Sequence, residues 1–414
     1  MDNKTAVRRG RIMVLLMCAG VFVPNYAQFQ MTAIGKRFSD MVGLNTTQLN
    51  SILTASLVPG MFFSLVAGLL VDRFGSKRVF TISYLITAIG AVTRIWADSF
   101  ISMYMAMVLI GVHATFLNVN GSKVFGYWFE PKKVGTLMGV FIAVVNGAMA
   151  LGMGTGALFP SLKSAFVMSS ALIIGAALLW VVFARDGAPK EGGQSCPKGD
   201  GPSVSQCIKK VAGSRNIWIV GLVLMLMCAG STALNMFLPT ALVSQRGFDE
   251  ARAGAVGMAI MIGSAISCFV TPIIDAKLKN TKALTLTYGL LGAAGVAFAW
   301  QAPEGALLPL ALSVTGFFTN GLGPLIMSIP IQLPEIGPTY AGTAGGVVAT
   351  IQLVGSVVIP TYIITPISGS NYSLLFGLCG IVLLLFAIAS QMLPNPAEKA
   401  KPVSSKLNKA GYPG

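Results

Sequence analysis

Leu16-Met17-Cys18-Ala19-Gly20, followed by Asn25, returns far down the chain as Leu226-Met227-Cys228-Ala229-Gly230, followed by Asn235. Spacing within the two copies is identical, and they stand 210 residues apart. A second match stands at an offset of 207: Gly135-Thr136 with Gly139-Val140 returns as Gly342-Thr343 with Gly346-Val347. Two matches at nearly one offset identify a duplicated unit, each copy roughly half of the chain.

Outward from these matches the chain reads as twelve apolar stretches: 11–34, 49–72, 78–97, 101–124, 135–159, 163–184, 216–243, 252–275, 282–302, 305–331, 341–366 and 371–393. Each reaches the roughly 20 residues that a helix needs to cross a bilayer. They are too long and unbroken for barrel strands, which alternate over about ten residues. The matches fall in spans 1 and 7 and in spans 5 and 11, as duplication of a six-span unit requires. The sequence therefore predicts an all-α membrane protein of twelve transmembrane helices in two pseudo-symmetric six-helix bundles. The first bundle covers 1–184 and the second 216–393. A polar stretch rich in Gly, Ser, Pro and Lys, 185–215, forms a central loop, and 394–414 forms a tail. Glycines four apart share a helix face and admit a second backbone, a packing device where no hydrophobic effect acts between helices.

Composition supports this and excludes other classes. Of the 414 residues 54% are hydrophobic and 10% charged, against about 25% charged in soluble domains. The net charge of +15 is topological rather than a nucleic-acid footprint. With twelve spans, 23 of the 29 basic residues fall on the side of the N-terminus, leaving six: Lys36, Arg37, Arg94, Lys163, Arg246 and Arg252. This is the positive-inside bias. It predicts a multi-pass protein of the cell membrane with cytoplasmic termini, central loop and tail, and anionic lipid beside its basic loops. Arg8, Arg9 and Arg11 ahead of an apolar run resemble a signal peptide, but no small-residue cleavage site follows, so the run reads as span 1. The six cysteines show no Cys-x-x-Cys spacing, which argues against a disulfide frame or a metal site. None of the 14 acids lies mid-span and there is one histidine, too little for a membrane-embedded enzyme; no catalytic residue and no cofactor is expected.

Gly68-Leu69-Leu70-Val71-Asp72-Arg73-Phe74-Gly75-Ser76-Lys77-Arg78 closes span 2. It resembles the loop 2–3 signature of the major facilitator superfamily, with Ser76 in the first of the usual basic positions. Gly68 permits close helix contact, Gly75 allows the turn, and the basic cluster anchors the loop. Asp72 suits a place near a helix N-terminus of the opposite half. The resemblance implies a secondary transporter of two rocking halves, with Asp72, Arg73, Gly75 and Arg78 as gating residues. Between spans 8 and 9 only Asp275, Lys277 and Lys279 remain of a second copy. Tyr127-Trp128-Phe129-Glu130-Pro131 and Leu333-Pro334-Glu335 resemble loops of bacterial facilitators for small, often anionic, solutes, such as the cyanate and nitroimidazole permease group. Span 5 lacks the Gly-Pro-x-x-Gly-Gly pattern of drug/proton antiporters, and 49–71 lacks the arginine of the family's nitrate porters. A drug or metabolite efflux antiporter and a non-transporting sensor of the same fold remain the alternatives.

In this family helices 1 and 7 line the central cavity. The resemblance thus makes Asn25, Tyr26 and Gln28, behind Pro24, and Asn235 candidates for substrate hydrogen bonds, joined by Asn320 of span 10. His113 of span 4, with Asn118 and Asn120 nearby, reads either as a proton carrier or anion ligand or as a histidine bonded to a neighbouring helix. Arg94, beside Trp96 near the end of span 3, reads as a headgroup anchor, and Lys123 as snorkelling to lipid. The expected partners are a small polar solute, membrane lipid and a coupling ion, either a proton or a counter-anion; no nucleic acid is expected, and the protein is expected to act as a monomer.

Overall fold

The computed structural model describes residues 3–185, 204–278, 280–333 and 335–394, and all its regular structure is helical. Among the described residues twelve helices are long and apolar enough to cross a membrane: α1 (Arg9–Val42), α2 (Thr46–Val71), α3 (Ser76–Trp96), α4 (Phe100–Trp128), α5 (Lys133–Leu158), α6 (Leu162–Phe183), α7 (Arg215–Arg246), α8 (Glu250–Leu278), α9 (Thr281–Gln301), α10 (Leu307–Met327), α11 (Gly342–Ser368) and α12 (Tyr372–Met392). Each coincides with one predicted span. Below, the near face is the end of the bundle where α1 begins, and the far face is the end where it finishes. A short helix, Val204–Ala212, packs beside α7 and α11. Much of the expected central loop and nearly all of the tail lie outside the described residues.

Local sequence explains where helices begin. Asn45 accepts from Gln48 N at 2.8 Å while Gln48 returns the bond to Asn45 N at 3.0 Å, a capping box that starts α2. Ser99 with Ser102 starts α4, and Ser161 with Ser164 starts α6, in the same way. Asn371 caps α12. Gly75 ends α2 at φ +82° and lets α3 follow at once, as the sequence predicted for this turn.

The pairings repeat. In the first half α1 packs on α4, α5 and α6, α2 on α4, and α3 on α4 and α6. Six helices later the same list returns: α7 on α10, α11 and α12, α8 on α10, and α9 on α10 and α12. Matching glycines hold the matching pairs. At Gly111 of α4 a Cβ would collide with the Ser56 carbonyl of α2, and at Gly316 of α10 with the Ile260 carbonyl of α8. The halves meet along α1·α7, α2·α11 and α5·α8.

Candidate functional site

Pro24 removes the N–H that would bond the Gly20 carbonyl, and the polar stretch of α1 follows it. Asn25 turns its amide back on its own helix, donating to Val21 O at 2.7 Å. Tyr26 shares a hydrogen bond with Thr155 of α5 at 2.8 Å. Gln28 is buried and its Nε2 has no partner. Seven residues on, and so on the same helix face, Gly35 approaches Leu49 and Leu53 of α2 and Thr240 Oγ1 of α7. Gln28 therefore lies on the α1 face turned toward the seam, where Thr240 Oγ1 is also buried without a partner.

Arg94 is not a headgroup anchor. A 3-10 turn, Arg94–Trp96, folds the end of α3 inward, and the guanidinium is fully buried. Nη1 donates to Ala27 O at 2.9 Å; Nη2 donates to Ser169 Oγ at 2.5 Å and, at 3.4 Å, to Gln30 Oε1. Gln30 in turn donates to Ala165 O at 3.1 Å. The ring of Phe166 lies 4.5 Å from the guanidinium carbon, a cation–π contact. None of the described ion pairs includes Arg94. Its charge is spread over oxygens of α1 and α6, directly behind Tyr26 and Gln28.

The second half offers a chain of amides and hydroxyls. Asn235 of α7 donates to Asn320 Oδ1 at 3.4 Å, and Asn320 donates to Ser264 Oγ of α8 at 2.9 Å and to Thr319 Oγ1 at 3.0 Å. Asn235 Oδ1 is buried with no partner. The structure thus brings together Asn235 and Asn320, and Tyr26 with Gln28 on α1.

Other candidates lie elsewhere. His113 is enclosed within the first half: its Nδ1 is 2.8 Å from Ser83 Oγ, its ring stacks on Tyr84 at 3.5 Å and stands edge-on to Phe80. Nε2 has no partner and points to the side of α1 that carries Gly20. Asn120 donates to Ala67 O at 3.2 Å and Phe116 O at 3.0 Å, tying α4 to α2, and Asn118 is exposed. Of the gating candidates, Arg73 and Arg78 are exposed on the near face, with Arg73 5.3 Å from the Phe74 ring centroid. The Asp72 side chain lies outside the described residues.

The seam itself was missed. At the far face Arg37 of α1 pairs with Glu250 of α8 at 2.5 Å and donates to Phe159 O at 3.3 Å. Asn50 of α2 donates to Thr365 of α11 at 3.0 Å, and Thr54 meets Thr361 at 3.1 Å. There α2 tightens into a 3-10 turn, Ala55–Leu57, opposite a π-helical turn of α11, Val358–Ile364. Toward the near face two of the duplicated glycines lie at the joins. The Cβ position at Gly346 is 3.3 Å from Leu65 Cα of α2, and at Gly139 it is 3.4 Å from the Phe269 ring of α8. One turn nearer, the Cβ positions at Gly342, Gly135 and Gly68 meet no described atom within 4 Å. The only signal in sequence for the latch was polar residues, Asn50, Thr54, Thr361 and Thr365, inside apolar spans.

Comparison with known proteins agrees with this architecture. The sequence profile of the Major Facilitator Superfamily matches residues 12–360. A probable sulfoacetate transporter of Cupriavidus necator is 24% identical over 98% of this chain and 100% of its own length. A probable nitrate/nitrite antiporter of Thermus thermophilus is 24% identical over 85% of this chain and 84% of its own. A hexuronate transporter of Bacillus subtilis is 24% identical over 42% of each chain.

Proposed function

This chain belongs to the Major Facilitator Superfamily, and from that premise we propose that it carries a small anion across the cell membrane by alternating access between its two halves. The observation that carries the anion reading is Arg94. A guanidinium at zero exposure in a bilayer protein is costly, and no described carboxylate neutralises it. Its positive potential reaches the polar face of α1, where Tyr26 and Gln28 are placed to hydrogen-bond a solute together with Asn235 and Asn320 from the other half. Relatives named for sulfoacetate, nitrate and nitrite, and hexuronate support a compact carboxylate, sulfonate or inorganic anion.

The cycle follows from the seam. With the far face latched and no described atom within 4 Å of the Cβ positions of Gly68, Gly135 and Gly342, this conformation is read as the one that serves access from the near face. Rocking about the shared middle of α2·α11 and α5·α8 would break Arg37–Glu250, Asn50–Thr365 and Thr54–Thr361 and close the near face on Gly68, Gly135 and Gly342. In this reading Asp72, Arg73, Gly75 and Arg78 act in that closure, both termini are cytoplasmic, and a single copy suffices. With His113 enclosed, exchange against a second anion is the coupling we favour over protonation there.

Purified protein in liposomes preloaded with sulfoacetate, nitrate or glucuronate tests this. Saturable uptake of one anion, competed by its relatives and faster against an anion gradient, is the expected result. Equal flux in protein-free liposomes for every anion overturns it.

A further inference from the structure

Counting protons fixes the direction of every hydrogen bond in the amide chain of the second half. Ser264 Oγ donates its one proton to a carbonyl, Ile260 O at 2.9 Å or Gly316 O at 3.2 Å, and Thr319 Oγ1 donates its own to Thr315 O at 2.9 Å. Both hydroxyls can then only accept. Asn320 must therefore turn its NH2 group toward them, at 2.9 and 3.0 Å, which leaves its Oδ1 to accept from Asn235 Nδ2 at 3.4 Å. The chain ends at Asn235 Oδ1, a covered acceptor to which no described group donates. Tyr26 ends the same way in the first half. Thr155 Oγ1 donates to Leu151 O at 2.6 Å, so Tyr26 is the donor in the 2.8 Å bond between the two hydroxyls, and its oxygen keeps only lone pairs. Resting on the anion reading above, we propose that the transported anion carries a hydroxyl group whose proton goes to Asn235 Oδ1. Its class is a hydroxy-carboxylate or hydroxy-sulfonate, not a bare inorganic anion.

A covered acceptor without a donor is costly, because it has lost the hydrogen bonds of water and gained none. Asn235 also borders open space. From Ala229 to Leu242 it is the one residue of α7 that is not buried. It lies at the depth of Tyr26 as well. Met153, two residues before Thr155, reaches the Cβ position at Gly257 of α8, and Pro239, one turn beyond Asn235, stands 3.5 Å from that position.

The opposite polarity comes from α1. Gln28 Nε2 is a donor, buried and without a described partner, and the buried Arg94 guanidinium stands behind it. A carboxylate or sulfonate group suits that side. Nitrate has acceptors only and would turn a lone pair toward Asn235 Oδ1. An ammonium group would supply the missing proton but would bring a cation into the field of Arg94. A hydroxyl supplies the proton without the charge.

The test uses the full chain in detergent, with dissociation constants read from ligand-dependent thermal unfolding. Lactate is compared with propionate, malate with succinate, and isethionate with ethanesulfonate, the members of each pair alike in charge and differing by one hydroxyl. In the pair whose size fits, the hydroxylated member should bind at least about fivefold more tightly, the worth of one hydrogen bond to an acceptor otherwise left unsatisfied. The analogue with fluorine in place of that hydroxyl, polar but with no proton to give, should bind like the unsubstituted member. Asn235→Leu removes the acceptor and should bring the two members within about twofold of each other, less than one hydrogen bond is worth. Gln28→Leu removes a donor to the charged end and should weaken both members alike, leaving their ratio in place. Equal binding of both members by the parent would mean that water donates to Asn235 and would overturn the hydroxyl while the anion reading stands. This comparison needs no variant, so it decides even where Asn235→Leu fails to fold. A preference undiminished in folded Asn235→Leu would overturn the assignment to that residue. Binding of none of these anions would end the anion reading and the hydroxyl with it.

Discussion

In the first half α3 ends in the 3-10 turn Arg94–Trp96, with the Arg94 guanidinium 4.5 Å from the ring of Phe166. In the second half α9 ends in the 3-10 turn Ala299–Gln301, with Trp300 edge-on to Phe376 at 5.4 Å. Phe166 and Phe376 both lie in the first turns of their half's sixth helix, so the two places correspond. A second correspondence starts from Gly111 and Gly316, each pressed on a carbonyl of the neighbouring helix. Two residues on stand His113, against Tyr84, and Phe318, edge-on to Tyr288 at 5.1 Å. The backbone frame is shared, while the interior chemistry differs. Among the described residues Arg94 and His113 are the only fully buried ionisable Arg, Lys, His, Asp or Glu side chains, and both belong to the first half. The second half builds the same helix pairings without a buried cation at either place, with Trp300 in its turn against Phe376 and Phe318 where the first half has His113. Under the proposed function, anion handling accounts for Arg94 at its place behind Tyr26 and Gln28.

The shared frame should fail first and equally in both halves. Gly111→Val and Gly316→Val would each drive a branched side chain into a backbone carbonyl, which cannot retreat as a side-chain tip can. Loss of monodisperse folded protein is expected for both, a destabilisation beyond about 4 kcal/mol. Size-exclusion profiles after detergent extraction report it. A fully folded Gly316→Val beside an aggregated Gly111→Val would mean that the halves are not held alike.

Next in size is the interior difference itself. Arg94→Trp would set an aromatic ring against Phe166, as Trp300 stands against Phe376 in the second half. The protein should remain folded, while anion uptake falls more than about tenfold, the worth of a single charge-assisted hydrogen bond of roughly 1.4 kcal/mol or more. Unfolding of the variant would make Arg94 structural; unchanged uptake would make it a relic of divergence.

Much of this architecture was legible before any coordinates. Twelve spans, their pairing by duplication and the Gly75 turn depend on length, apolarity and local backbone freedom, which a linear sequence carries directly. Arg94 was not legible. Near the end of a span, beside Trp96, it had every mark of a headgroup anchor. Its burial depends on a 3-10 turn and on Gln30 and Ser169, which come from other spans. Asn25 illustrates the opposite limit. Its repeat partner Asn235 faces Asn320 across two helices, yet Asn25 spends its amide on Val21 O behind Pro24, a choice set by one helix turn that spacing cannot reveal. The latch pairs Asn50 with Thr365, 315 residues away in sequence, beyond the reach of any local pattern.

The two ends of the seam differ as the two halves do: the far face is joined by polar bonds, and at the near face the Cβ positions of Gly68, Gly135 and Gly342 meet no described atom within 4 Å. Arg37→Gln removes the partly exposed ion pair with Glu250, worth up to about 1 kcal/mol. Adding Asn50→Ala and Thr54→Val removes two interhelical bonds of about 0.6 kcal/mol each. Together these amount to about 2 kcal/mol, or a thirtyfold shift away from the latched conformation. A cysteine placed at Thr240, buried at the seam, should then react faster with an impermeant thiol reagent applied to the far face, by about fivefold for the single variant. A rate that does not change would mean the latch bonds do not set the balance.

The smallest effect is expected at the position that sequence made most tempting. His113 is the one histidine of the chain, and an imidazole inside a membrane span invites a role in proton coupling. Its surroundings point the other way. Ser83 holds Nδ1, Tyr84 and Phe80 cover the ring, and the side chain is fully buried inside the first half. A proton carrier has to exchange with the passage in at least one conformation, and rocking of intact halves leaves contacts within a half unchanged. His113→Phe copies Phe318 and replaces one ring by another. It costs the hydrogen bond to Ser83, roughly 1 kcal/mol, and keeps the packing. Uptake of the preferred anion should stay within about threefold of the parent, since lost stability below roughly 1 kcal/mol leaves nearly all molecules folded, and its dependence on external pH should not move. A flattened pH profile in this variant, with folding intact, would return His113 to the coupling mechanism and require the first half to open internally during the cycle.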